Sequence, residues 1–232
     1  MSRRLFALTL SIVLAWCPAA FAASAAAPLA PDRIKVGELL RDVMRVDASG
    51  DSIEMVLWLP VQYVEASLAQ NKADEKGSRE IVSVFGQYTV VAALQGTVGT
   101  LGNTYTSEQD LRGKLRIVDA TGHSYAPIPA DKLDKKMSRL IAILQPFIKQ
   151  TAGEVGDNLA LFVFPGKGSD GKRIADAMDN GLFTVQIDET AHRFRLPLGS
   201  LLASRIDADT GESFPGSYNF NPYTGAPLTA AP

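Results

Sequence analysis

The stretch Asp131–Lys149, DKLDKKMSRLIAILQPFIK, decides how this chain is read. Its apolar residues are Leu133, Met137, Leu140, Ile141, Leu144, Phe147 and Ile148. They recur at the spacing of one helix face. Lys132, Asp134, Lys135, Ser138 and Arg139 fill the opposite face. Asp131 reads as the N-cap, with Pro129 just outside the helix. Pro146 removes one backbone hydrogen bond from the pattern, so the regular helix is expected to kink or end near Gln145. Burying such a face contributes about 1.5–3 kcal/mol per large side chain before chain entropy opposes it. A helix of this kind needs a surface to lie on, and the rest of the chain supplies short strands.

Val36 to Met44 has helix spacing, and Asp47 to Asp51 is a turn cluster. Ile53, Met55, Leu57 and Leu59 alternate on one face of a strand. Val56 and Trp58 make its second face partly apolar, so both faces are expected to be buried. Pro60 opens a helix running to about Gln70. Asn71 to Gly77 reads as a charged loop. Ser78 then reads as the cap of a short helix carrying Ile81, Val84 and Phe85 and ended by Gly86. A single strand from Ile81 to Leu94 is the alternative, and Tyr88 to Leu94 is a strand in either case. Gly96–Asn103 is an exposed loop. Leu115–Val118 and His123–Ile128 form one hairpin, and Leu182–Ile187 and His192–Leu196 form another. Asn158–Phe164 is a compact apolar run, read as the central strand. Gly166–Asp179 is a polar, Gly-rich loop.

Strands joined by short turns and interrupted by helices imply an α+β fold. The expected form is a mainly antiparallel, β-sandwich-like domain with inserted helices and one long amphipathic helix. The expected division is a signal peptide over 1–22, an Ala/Pro-rich spacer over 23–32, one α+β domain over 33–202, and a Gly/Pro/aromatic tail over 203–232.

The first segment has a basic start at Arg3 and Arg4, an apolar run from Leu5 to Trp16, and the small-x-small site Ala20-Phe21-Ala22. That is the pattern of a secretory signal cleaved after Ala22. The apolar run is too short for a good membrane span, and no later segment reaches that length. Ser2-Arg3-Arg4-Leu5-Phe6 also resembles a twin-arginine export motif, and Leu14–Cys17 resembles a lipobox with a bulky Trp16 before the cysteine. The expected location is the bacterial periplasm or the extracellular space.

Cys17 is the only cysteine and would leave with the signal. A cysteine-free mature chain has no disulfide, no thiol nucleophile and no thiolate metal ligand. The formal charge of −2 comes with no basic patch, which argues against nucleic acid as a partner.

Candidate chemistry is sparse. Gly166–Lys172 matches G-x-x-x-x-G-K, a phosphate-loop pattern, but Arg173 stands where Ser or Thr must hold magnesium. The G-x-S-x-G of a nucleophile elbow fails around Ser169, with Lys167 and Lys172 at its glycine positions. His123 and His192 are the only histidines, and both read as surface or edge residues. Asp207, Asp209 and Glu212 are candidate calcium ligands, although Tyr218 occupies the twelfth position, where an EF-hand places its glutamate.

In the tail, Asp207-Ala-Asp-Thr-Gly211 and Asn221-Pro-Tyr-Thr-Gly225 look like two copies of one turn, separated by Phe214–Tyr218. From Arg205 to Leu228 this resembles the paired knuckles of a zinc ribbon. Asp207 and Asn221 stand where that family has cysteines. The resemblance implies a ribbon-like shape without zinc.

The leading expectation is an exported bacterial envelope protein acting as a non-enzymatic binding or scaffold domain, with no cofactor. Its partner would be a protein or another envelope component. Candidate contact points are Tyr218, Phe220 and Tyr223, together with the Gly96–Asn103 and Gly166–Asp179 loops. Alternatives are a small hydrolase using an Asp/Glu–His pair, or a carboxylate-type calcium-binding protein.

Overall fold

The computed structural model describes residues 26–100, 102–151 and 153–231. The expected signal peptide, its cleavage site and Cys17 lie outside the described residues. The fold is mixed α+β, and its sheets are antiparallel. No helix among the described residues is long and apolar enough to cross a membrane.

The main sheet is built from β1 (Met44–Ser49), β2 (Ser52–Leu59), β3 (Tyr88–Gly99) and β4 (Gly102–Tyr105) in that order, with β7 (Ala160–Pro165) also on β3. β3 is the central strand. Its 12 residues face β2 on one edge, while β7 and β4 share the other, at Tyr88–Ala93 and Gly96–Gly99. The expected central run therefore lies elsewhere: β7 pairs only with β3. A continuous apolar run reports burial on both faces, not the number of hydrogen-bonded neighbours. The expected Gly96–Asn103 loop is largely a β3–β4 hairpin, although Thr97 to Gly99 are exposed as expected.

A second sheet runs β6 (Ser124–Tyr125), β5 (Leu115–Val118), β8 (Gly181–Ile187), β9 (Thr190–Leu196), and contains both expected hairpins. The two sheets meet through rings. Trp58 sits edge-on to Phe183 at 4.5 Å and to Phe194 at 5.9 Å, and the two phenylalanines stack at 4.9 Å. The Arg45 guanidinium lies 4.6 Å from the Phe194 ring centre and donates to Arg193 O, which covers one open side of this layer.

Helices cover the other face of the main sheet. They are α1 (Val36–Val43), α2 (Val61–Gln70), α3 (Glu75–Phe85) and α5 (Lys135–Thr151). α4 (Glu108–Lys114), capped by Ser107, sits before β5 and was not expected from the sequence. α3 starts earlier than the Ser78 reading. The Asp74 carboxylate accepts from the N–H groups of Lys76 and Gly77, and a Cβ at Gly77 would lie 2.4 Å from Asp74 Oδ2. The all-strand alternative for Ile81–Leu94 is thereby overturned.

In α5, Met137, Leu140 and Ile148 are buried and Ile141 and Leu144 half-buried, while Leu133, also half-buried, precedes the helix and the side chain of Phe147 is outside those described. The cap is Asp134, not Asp131. Asp134 Oδ1 accepts from Lys136 N and Met137 N at 2.7 and 3.1 Å, while Asp131 is used in a preceding 3₁₀ turn. The helix continues through Pro146 to Thr151 instead of ending near Gln145. The Tyr88 hydroxyl donates to Asp134, tying β3 to the start of α5. That bond pushes the phenol up to about 12.

The tail forms its own small sheet, β11 (Ser213–Phe214), β10 (Arg205–Asp207), β12 (Leu228–Ala230), with β10 in the middle. Part of the expected spacer is fixed to the chain just before it. Leu29 N donates to Leu201 O and Ala203 N to Ala27 O, each at 2.8 Å.

Candidate functional site

The tail is organised by two turns that repeat bond for bond. In the first, Asp207 Oδ1 accepts from Asp209 N and Thr210 N at 3.0 and 3.2 Å. Gly211 N returns to Asp207 O, and Asp207 N donates to Glu212 O. In the second, Asn221 Oδ1 accepts from Tyr223 N and Thr224 N at 2.9 and 3.3 Å. Gly225 N returns to Asn221 O, and Asn221 N donates to Ala226 O. The closing glycines have φ of 72° and 75°, a left-handed conformation that glycine adopts without steric cost. Each turn is thus encoded locally: an acceptor side chain, two residues whose N–H groups it binds, and a glycine.

What joins the turns is not local. Asn221 Nδ2 donates to Asp207 Oδ2 at 2.6 Å, and both residues are 2 % exposed. Asp207 pairs with Leu228 across β10 and β12, so both turns project from one end of the small sheet. The hydrogen bond from Asn221, aided by the backbone N–H groups of Asp209 and Thr210, holds the Asp207 carboxyl below the usual carboxylate range. Beneath the turns, Arg205 is buried and donates to Gly216 O and Leu228 O.

This arrangement does not gather the expected calcium set. The Asp207 carboxylate is turned inward onto the turn N–H groups and Asn221, while Asp209 and Glu212 are exposed. Among the described residues no three His, Cys, Asp or Glu side chains are grouped to hold a metal ion.

Of the aromatic candidates, Tyr223 lies in the second turn and Tyr218 and Phe220 in the connection just before it, and all three remain open. Tyr218, Phe220 and Tyr223 are 43 %, 55 % and 82 % exposed. No other aromatic side chain among those described is exposed. Phe214 is buried beneath them, with its ring centre 6.4 Å from that of Tyr223.

The two histidines differ. His123 is exposed on the β5–β6 hairpin, where Thr121 Oγ1 lies 2.7 Å from both His123 Nδ1 and Asp119 Oδ1. Burial pushes the Asp119 carboxyl up. Bonds from the Thr121 and Tyr125 hydroxyls and from the N–H groups of His123 and Thr121 outweigh it and bring it down to about 2.

His192 lies on the edge strand β9, as one of the two expected placements has it, but it is not at the surface: it points inward, with its Nε2 3.0 Å from Glu54 Oε2, and both side chains are buried. Gln95 Nε2 donates to Glu54 Oε1 at 2.9 Å, and Gln95 Oε1 accepts from Thr106 Oγ1 and Lys114 Nζ. Lys114 in turn pairs with Asp188 at 3.0 Å. This chain of bonds runs from between the sheets to a polar cavity of about 350 Å³ that Gln95, Thr106, Ser52 and Lys114 help to line. Phase could have revealed the pair. Glu54 shares the inward face of β2 with Val56 and Trp58, as His192 shares that of β9 with Phe194.

The Gly166–Lys172 segment closes on itself. Gly168 N donates to Lys172 O, Gly171 N to Gly168 O and Lys172 N to Asp170 Oδ1, and no helix follows. The amides of Gly168, Gly171 and Lys172 are thus spent within the loop, and without a following helix the segment lacks the N-terminus that a phosphate cradle uses. The Arg173 guanidinium, at the position needed for magnesium, donates to Gly86 O and Tyr88 O.

No protein-family model, curated protein or solved structure matches this chain.

Proposed function

We propose that this chain is an exported bacterial envelope protein, periplasmic or extracellular, acting as a non-enzymatic binding or scaffold domain that docks its partner through the tail. One observation carries the reading: the exposed aromatics among the described residues all fall within Tyr218–Tyr223. Large rings left in water on a folded surface mark contact sites. These rings stand on backbone that is already held, by the second turn at Tyr223, by the bond from Tyr218 N to Pro215 O and by the bridge of Phe220 to Pro227, so little ordering opposes binding. The export part of the reading rests on residues 1–22. The tail itself is read as a ribbon-like pair of turns that needs no zinc, supported by the Asp207–Asn221 bond between the turns.

The test is capture from the native envelope, comparing the full chain with a variant carrying Tyr218→Ser, Phe220→Ser and Tyr223→Ser. Loss of a specific partner with an unchanged melting temperature supports the reading. Undiminished capture refutes it.

A hydrolase is the second reading, favoured by the buried Glu54–His192 pair. Gln95 stands between Glu54 and the polar cavity, and no hydroxyl nucleophile is bonded to His192 among the described residues. Turnover of any hydrolase substrate that disappears in His192→Gln would promote this reading over the first.

A further inference from the structure

We infer that the cavity between α1 and the tail binds a small organic anion, its phosphate or carboxylate held by Arg33 and Arg41 and its apolar body lying against Leu29, Leu202 and Phe214. This goes beyond the docking reading. Tyr218, Phe220 and Tyr223 do not line the cavity, so either claim can fail without the other.

The walls come from three stretches distant in sequence, within 29–42, 199–204 and 213–215. They are held together by the fold itself. Leu29 N donates to Leu201 O, Ala203 N donates to Ala27 O, and Pro28 bridges Leu202. Ser200 N donates to Asp42 Oδ2 at 2.9 Å, tying α1 to the 3₁₀ turn Gly199–Leu201. The tail packs closely on that turn. A Cβ at Gly199 would fall 2.9 Å from Pro215 Cβ, and one at Gly216 2.4 Å from Leu202 Cβ. The space left between these walls is about 380 Å³, at the lower end of the range for small-molecule pockets. A preformed cavity of this kind needs little reordering to be filled.

Charge selects the ligand. Arg33, Lys35 and Arg41 are interspersed with Asp32, Glu38 and Asp42 in the sequence, and it is the cavity that groups them. Lys35 is paired with Glu38 at 3.0 Å. Asp42 accepts from Ser200 N, and the Arg45 guanidinium beside it donates to Asp42 O at 3.0 Å. Both carboxylates of the lining therefore have partners. The exposed guanidiniums of Arg33 and Arg41 make no hydrogen bond or ion pair among the described residues. Asp32 and Glu212, next in sequence to lining residues, lie outside the lining and are in no ion pair among the described residues. The lining thus carries three cations against two anions, and its two free cations have planar donors that match an oxyanion two bonds at a time. The exposed hydroxyls of Ser204 and Ser213 add neutral donors. Leu202 and Phe214 are buried and Leu29 half-buried, which gives the rest of the wall an apolar character. A neutral ligand would leave the guanidiniums unanswered, and a cation would face like charge. A bare inorganic anion would leave the apolar wall wet.

The probes are phenyl phosphate and benzoate, with inorganic phosphate, benzyl alcohol and benzylamine as comparators, each titrated calorimetrically into the full chain at matched ionic strength. At least one of the two aromatic anions is expected to bind, phenyl phosphate more tightly than inorganic phosphate, and the alcohol and the amine not at all. Arg33→Gln with Arg41→Gln should weaken anion binding about 10-fold or more. The melting temperature of that variant without probe should be unchanged, because neither side chain is bonded. Arg33→Lys with Arg41→Lys keeps the charge but loses the planar fork, and should fall between. Arg79→Gln, a charge change on α3 outside the lining, should bind as the wild type does. Leu29→Ser should weaken phenyl phosphate and leave inorganic phosphate unchanged. The inference is overturned if neither aromatic anion binds, if binding survives the double glutamine variant, or if the alcohol or the amine binds as well as the anions. Inorganic phosphate binding as tightly as phenyl phosphate overturns it too, since the apolar wall would then play no part.

Discussion

Replacing Glu54 with alanine should be among the most damaging single changes outside the aromatic core. The carboxylate is buried and holds two donors, the His192 imidazole at 3.0 Å and the Gln95 amide at 2.9 Å. Glu54→Ala leaves both without that acceptor. Each orphaned buried donor costs about 1–3 kcal/mol. With two donors orphaned, the expected loss is about 2–6 kcal/mol, a large share of the total stability of a domain. Glu54→Gln keeps the acceptor for Gln95 and should cost less than the alanine. The decisive variant is the double replacement Glu54→Leu with His192→Leu. Removing both partners spares the desolvation cost, so the double variant should be more stable than either single leucine variant. Urea denaturation of the four corners of this cycle gives the coupling directly. If the two single losses simply add in the double variant, the pair is not coupled and this account of the interior is wrong.

Three further outcomes follow from particular side chains. Leu140 is buried on α5 and Ile143 is 71 % exposed, so Leu140→Asp should destabilise by about 3 kcal/mol or more, while Ile143→Asp leaves the urea midpoint nearly unchanged. Asp119 and Asp207 both have lowered carboxyl values when folded, so as pH falls the unfolded chain takes up their protons first. Their stabilisation is complete above about 4 and is lost below it, down to about 2 for Asp119. Acid melts of Asp119→Asn and Asp207→Asn should therefore be flatter than wild type across that window. Elemental analysis of the purified chain should find no stoichiometric zinc, and calcium should leave the melting temperature unchanged, because the Asp207 carboxylate is already filled by hydrogen bonds.

The sequence makes some of this visible and hides the rest for stateable reasons. The apolar face of α5 and the two hairpins are legible because their signals are local: a repeat at helical spacing, or alternation around a short turn. β2 is also legible, since both faces of its run are apolar. The place of β7 in the sheet is not, because apolar content measures burial and says nothing about which strands lie on either side. The start of α3 is ambiguous in the sequence because Asp74 and Ser78 are equally good cap residues, and only the bonds to Lys76 and Gly77 N–H single out Asp74. α4 has only 7 residues, too few to show a helical repeat behind its Ser107 cap. In the tail, each turn is written in its own five residues, and both were legible. The bond that unites them depends on Asp207 and Asn221 meeting side chain to side chain. Nothing local encodes that meeting.

The Glu54–His192 pair was missed because its partners lie on strands far apart in the chain, and that separation is also what makes it informative about folding. Glu54 faces Gln95 across β2 and β3 in register. A slip of one residue along either strand would turn its side chain to the helix-covered face of the sheet. The aliphatic residues on that face discriminate less between registers by polarity, since Leu57, Met55, Ala92 and Leu94 are all apolar and Leu and Met are close in volume. A slipped Glu54 would carry its polar carboxyl group among them without the His192 and Gln95 donors it has in register. His192 would lose its partner between the sheets at the same time. Buried polar groups often add little net stability, but each misplaced one is costly, so they penalise wrong pairings more than they reward the right one. By this reasoning the polar chain from His192 to Lys114 fixes the register of β2 on β3 and the seating of β9 over both, while the Trp58, Phe183 and Phe194 rings supply the burial that holds the layers together.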